Sequence, residues 1–124
     1  MKFHSTAIRG HGRGKGLGFP TINLVVPSEV ALSLGKGIYA SRVKIGDEVY
    51  GGALYFGPAS TFGETENQLE VYLIDSVMIS VEPGEEVEVE VVRFIRPPEA
   101  FSGPELLVMK MEEDVEKVRN ALGM

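Results

Sequence analysis

Gly10-His11-Gly12-Arg13-Gly14-Lys15-Gly16-Leu17-Gly18-Phe19-Pro20-Thr21-Ile22-Asn23-Leu24 sets five glycines alternately with other residues, then enters a strand-like segment, Thr21 to Val26, through a proline. Alternating glycine leaves the backbone free to take positive φ and lets a ligand come close to the amides. Successive exposed N–H groups form a concave anion site, and Arg13 and Lys15 add positive charge to it. Beyond the loop, Thr21 and Asn23 stand two residues apart, so on a strand they share one face. Oxygen-bearing side chains beside a phosphate cradle suit Mg²⁺, which keeps several waters and favours substrate phosphates. Established phosphate loops do not fit. Lys15 is followed by Gly16 where a P-loop has Ser or Thr, Arg9 stands where its first Gly belongs, and no G-x-G-x-x-G can be placed.

Outward from this stretch, the whole chain bounds the function. Its 124 residues have the size of one domain, and 44% hydrophobic content is enough for one core. The absence of Cys excludes disulfides and thiolate metal sites. No apolar run is long enough for a membrane helix, and Met1 to Thr6 lacks a signal-peptide core, so a cytoplasmic protein without a membrane partner is expected. The net charge of −6 is uneven: Lys2, Arg9, Arg13 and Lys15 precede the first acid, Glu29, and the rest is acidic. That balance argues against nucleic acid and for a small phosphate compound at the basic loop.

Strand signals follow at short intervals. Phe3 to Ile8 reads as a strand, and Val30 to Leu34 as a loop or a single helical turn. Ile38 to Ile45 and Glu48 to Phe56 flank Gly46-Asp47, a two-residue hairpin signal. Gly51-Gly52 marks a bulge or a close approach of ligand or backbone. Gly57 to Asn67 is a polar loop. Gln68 to Asp75 alternates, with Leu69, Val71 and Leu73 on one face and Glu70, Tyr72 and Ile74 on the other. Met78 to Val81 reads as a further short strand. Pro83-Gly84 suits a type II turn, and Val87, Val89 and Val91 alternate with Glu86, Glu88 and Glu90, a glutamate row read as a solvated face. The C-terminal segment is a helix. Ser102-Gly103-Pro104-Glu105 reads as a capping box, Leu107, Met111, Val115, Val118 and Leu122 form one apolar stripe, and Gly123 closes the end. Many short strands followed by one amphipathic helix predict a mainly β fold, an antiparallel barrel of about six strands with the helix packed outside.

The glycine run continuing into Pro20-Thr21-Ile22-Asn23 resembles the riboflavin kinase family, whose glycine-rich flap runs into Pro-Thr-x-Asn. Gly37-Ile38-Tyr39-Ala40, Leu69 to Asp75, and Phe94 to Phe101 with Asp114 are similar to further family segments, so the resemblance covers nearly the whole chain as one domain, 1–124. It is to the kinase module standing alone, which elsewhere is often fused behind an adenylyltransferase. The resemblance implies a small antiparallel barrel that moves the γ-phosphoryl group of ATP to the ribityl hydroxyl of riboflavin, giving FMN and ADP. It implies Glu70 as the base and Thr21 and Asn23 as ligands of Mg²⁺. It also implies a nucleotide site built from Gly12, Arg13, Gly14, Lys15, Gly16, Gly18, Thr21 and Asn23. Flavin-binding residues are left unassigned, and a monomer is expected. By residue type alone, Glu70 reads equally as an outward strand glutamate, and Thr21 and Asn23 as strand-start hydrogen bonders. Arg96 reads as the partner of an acid or as a cap of the helix region, without a catalytic part. The sequence departs from the family pattern at Tyr55, Ser60 and Ser76. Those departures leave two alternatives, a non-catalytic flavin- or nucleotide-binding homologue and a kinase of another small alcohol.

Overall fold

Six strands close into an antiparallel barrel in the order β1-β2-β5-β4-β3-β6, as expected from the strand signals. The computed structural model describes residues 1–9, 21–58, 65–75 and 81–124. The strands are β1 (Lys2–Ile8), β2 (Ile22–Leu24), β3 (Gly37–Ile45), β4 (Glu48–Pro58), β5 (Asn67–Leu73) and β6 (Glu86–Arg96). Two helices accompany them, the short α1 (Ser28–Ser33) and the long α2 (Pro104–Leu122).

Alternation puts Phe3, Ala7, Leu24, Val43, Leu54, Phe56, Leu69, Val71, Leu73, Val87 and Val89 in the barrel interior, with Val30 of α1 packed among them. The strict Val/Glu alternation of β6 therefore does what its period says: Val89 is fully buried and the glutamates face out. Gly46 turns the β3–β4 hairpin with φ of 60°, while Asp47 keeps a negative φ. That pairing fits a type II′ turn, whose first central position favours glycine. Gly84 takes a φ of 95° at the second central position of the Pro83-Gly84 turn, closed by the Glu85 N–H on the Glu82 carbonyl.

Neither a bulge nor an approach of ligand or backbone explains Gly51-Gly52: the atoms that crowd the two glycines belong to side chains. The β3–β4 register runs unbroken through both residues. A Cβ on Gly52 would stand 2.6 Å from Val71 Cγ2 and 3.0 Å from Ser41 Oγ inside the barrel. Gly52→Ala is expected to destabilise by about 1–3 kcal/mol, the usual cost of overpacking a filled core. A shift in the urea midpoint with unchanged slope is the measurement that checks it.

On the outside, small residues on β3 and β4 make a seat for α2. Ala40 and Ala53, with Tyr72, Ile74 and Ile95, meet Val115, Val118, Ala121 and Leu122. Gly51 lies beneath the helix end, near Leu122 and Met124. Each residue of the stripe is at least partly buried, and Gly123 closes the helix in the left-handed conformation.

Four further sequence readings are corrected. The helix has Gly103, not Ser102, at its N-cap, with Pro104 at the first helical position and no side-chain cap. Ser102 and Glu105 are thus one position early for a capping box. β2 ends at Leu24 rather than Val26, because the Ser5 hydroxyl takes the Val25 carbonyl and Pro27 follows. β6 continues beyond the Val/Glu alternation to Arg96, through irregularities in its pairing with β3. Val81, the described end of the expected Met78 to Val81 strand, lies outside any strand, and Met78 to Ser80 are outside the described residues.

Candidate active site

Because paired residues in a ladder share a face, the register defines a row across the barrel's outer wall. Ile8 pairs with Asn23, Asn23 with Glu70, Glu70 with Tyr55, Tyr55 with Ile38, and Ile38 with Arg96. Directly opposed side chains stand roughly 4.5–5.5 Å apart at Cβ, close enough to interact. The row places Asn23 next to Glu70, although the two lie far apart in sequence. Thr21, just before β2, donates its hydroxyl to Glu70 Oε2 at 3.0 Å. The single hydroxyl hydrogen of Thr21 therefore serves a carboxylate on another strand rather than the local backbone. The three residues that the sequence singled out for base and metal work come together.

The donor set is a hydroxyl, an amide and a carboxylate, all oxygen ligands that suit Mg²⁺. With the Thr21 hydrogen turned toward Glu70, the hydroxyl lone pairs remain for a cation. Among the described residues, no cluster of three or more His, Asp or Glu forms a separate metal site.

On the other side of Glu70, Tyr55 lies along β4 with its hydroxyl donating to the Pro58 carbonyl. Burial first, and then the negative charge of Glu70, hold its phenol above the ordinary range, while Arg96 pulls it back. Arg96 ends the row and is nearly buried. Its Nε and Nη2 each reach an oxygen of Asp114 at 2.8 Å, Nη1 donates to the Pro97 carbonyl, and its guanidinium lies over the Phe101 ring at 5.9 Å. Asp114 is 2% exposed, so this clasp ties β6 to the middle of α2. The expectation that Arg96 pairs with an acid is met.

Where β5 ends, Asp75 takes a left-handed φ of 58° and is gripped by Arg119 of α2 at 2.6 and 2.8 Å. Those hydrogen bonds first, and the charge of Arg119 after them, keep the Asp75 carboxyl below its usual range.

A cleft of about 350 Å³ opens beside Asn23, lined among others by Arg9, Val25, Glu66, Asn67 and Gln68. Asn23 is one of its lining residues, and Gln68 and Asn67 carry it along β5 to the level of Gly57 and Pro58 on β4. The expected phosphate residues Gly12, Arg13, Gly14, Lys15, Gly16 and Gly18 lie outside the described residues, as do His11, Ser60 and Ser76.

Comparison with known proteins decides the family. The family model described as "Flavokinase: Riboflavin kinase" matches residues 1–122. The chain belongs to the riboflavin kinase family. It is similar to a bifunctional riboflavin kinase/FMN adenylyltransferase of Listeria monocytogenes, 34% identical over 115 residues. That match covers 92% of this chain and 36% of the Listeria protein, so the chain spans about a third of that relative's length. The crystal structure of riboflavin kinase from Trypanosoma brucei shares the fold, with a TM-score of 0.70 at 20% identity over 98% of this chain and 79% of that one. A crystal structure described as a macrolide-efflux protein from Streptococcus pneumoniae is also similar, with a TM-score of 0.76 at 28% identity. It is covered over 38% of its length, against 96% of this chain. Among the described residues, no helix is long and apolar enough to cross a membrane.

The resemblance to the riboflavin kinase family carried Glu70, Thr21 and Asn23 to their positions residue by residue. What the sequence did not disclose is that Tyr55 and Arg96 stand in the same row. The only signal for it is ladder register, and register depends on which strands pair.

Proposed function

We propose that the chain is a riboflavin kinase, transferring the γ-phosphoryl group of ATP to the terminal ribityl hydroxyl of riboflavin to give FMN and ADP. The observation that carries this reading is the convergence of Thr21, Asn23 and Glu70 on one face, in a chain of the riboflavin kinase family. Phosphoryl transfer asks little covalent chemistry of a protein; positioning and charge stabilisation do most of it. Glu70 takes the proton of the attacking hydroxyl, with Thr21 fixing its Oε2. Thr21 and Asn23 would hold Mg²⁺ through the hydroxyl and the amide oxygen. When bound, Mg²⁺ neutralises charge on the β- and γ-phosphates. The nucleotide would lie beside Asn23, with its phosphates the expected partners of Arg13 and Lys15 in the glycine loop.

The metal roles have a kinetic signature. Thr21→Ala or Asn23→Ala should raise the nucleotide KM and the Mg²⁺ requirement by at least about tenfold, since losing even an outer-sphere partner costs roughly 10–100-fold in metal affinity. Riboflavin affinity should hardly change. Initial rates across nucleotide and Mg²⁺ concentrations check this, and an unchanged Mg²⁺ requirement would remove the metal role.

The closed set of strands supports reading 1–124 as one domain. The net charge of −6 supports a protein without a nucleic-acid partner, and the cysteine-free composition supports a cytoplasmic setting. A monomer is the simplest state in which the outer-wall site stays accessible, and light scattering in solution tests it. Incubation with riboflavin, ATP and Mg²⁺, followed by chromatography for FMN, tests the function itself. Flavin bound without turnover would make the chain a binding homologue instead.

A further inference from the structure

The residue next to Glu70 on the side away from the metal pair is Tyr55, and three observations bear on what it does. First, its ring does not stand upright on the sheet as strand side chains usually do. A Cβ on Gly57 would lie 2.9 Å from the Tyr55 hydroxyl oxygen and 3.2 Å from Cζ, so the ring is laid along β4 over Gly57. Gly57 itself takes a φ of 150°, open to glycine and strained for other residues. Second, the hydroxyl hydrogen is spent on the Pro58 carbonyl, which anchors the far end of the ring. Third, the ring is half-buried, and Tyr55 stands in the row between Glu70 on β5 and Ile38 on β3.

Order along the row then assigns a role. Asn23 lies on the β2 side of Glu70 and Tyr55 on the β4 side. If metal and phosphates occupy the β2 side, an acceptor whose hydroxyl meets both Glu70 and the phosphorus must extend away over β4. We propose that Tyr55 is a specificity-determining residue: its flattened ring is the platform on which the acceptor alcohol rests beside Glu70. A flat ring fixed at its hydroxyl suits the apolar face of a polyol chain or of the fused aromatic ring attached to it. It offers the acceptor shape and surface, with no donor left to give. This inference rests on the kinase reading above.

The test uses the whole chain and reads binding apart from turnover. Riboflavin fluorescence is titrated with protein in ADP and Mg²⁺, where no transfer occurs. Tyr55→Leu keeps an apolar side chain but loses the ring, and should bind riboflavin about tenfold more weakly or worse, as aromatic platforms do on truncation. It should also lose the quenching that stacking gives, and its nucleotide KM should stay unchanged. Tyr55→Phe keeps the ring and should stay within about fivefold of the native affinity, the loss of one ordinary hydrogen bond. On the native protein, riboflavin added to the ADP complex should shift the Tyr55 ring resonances, whereas ADP and Mg²⁺ alone should leave them in place. That measurement stands even if the leucine variant unfolds. Native FMN formation with unmoved Tyr55 resonances, or with full riboflavin affinity in a folded Tyr55→Leu, overturns the platform and leaves the kinase reading intact. If the native protein neither binds riboflavin nor forms FMN, the kinase reading falls, and the platform falls with it.

Discussion

Glu70→Gln is expected to lower kcat by about 10²–10⁴-fold while changing the KM of either substrate little. The variant keeps the size of the side chain and a carbonyl oxygen to accept the Thr21 hydroxyl, so the local geometry should survive. On the proposed mechanism, what it loses is the carboxylate that would receive the proton as the acceptor oxygen attacks. That interaction strengthens in the transition state, so its loss falls on turnover rather than on binding. Riboflavin and nucleotide titrations on the same variant separate the two. A Glu70→Gln protein keeping more than about a tenth of native kcat would return Glu70 to the solvated strand glutamate its parity alone suggests.

The second large effect is on stability. Asp114→Ala should destabilise the fold by about 3–5 kcal/mol, because it strands the Arg96 guanidinium in a place where it is only 11% exposed. Against a total stability of roughly 5–15 kcal/mol for an ordinary domain, that is a large share. Urea unfolding measures it, and a loss below about 1 kcal/mol would mean that the pair behaves as a solvated surface bridge. Replacing both partners, Arg96→Met with Asp114→Leu, should recover most of the loss, since neither charge is then left buried alone. The clasp is thus expensive to break from one side and of modest net value as a whole.

Local rules were readable where chemistry and period agree. Gly46-Asp47 and Pro83-Gly84 gave their turns, because positive φ at Gly46 and Gly84 is a backbone demand that glycine advertises. Val87 and Val89 gave the inner face of β6 by a period of two, and Val118 with Val115 gave the seat of α2 by its helical spacing. The failures lie where a tertiary contact decides. Ser102 and Glu105 matched a capping pattern one residue out of phase, and only the observed position of Gly103 fixes the helix start. Arg96 was read as the partner of an acid, but only the packing of β6 against α2 shows that the acid is the buried Asp114. The site divides the same way. Glu70, Thr21 and Asn23 carried a recognisable motif, whereas Tyr55 has significance only from the strands on either side of it.

The row on the outer wall counts in whole residues. Its members are aligned by backbone pairing, and one added or deleted residue in β2, β4 or β5 would turn the following side chains to the opposite face. Such a change would send Glu70 or Asn23 inward, or tear the ladder that closes the barrel. Length changes between the strands leave the count untouched. Among chains built on this barrel, insertions and deletions should therefore gather in the connections and spare the six strands. The spacing from Asn67 to Leu73 should be as fixed as the identity of Glu70 itself.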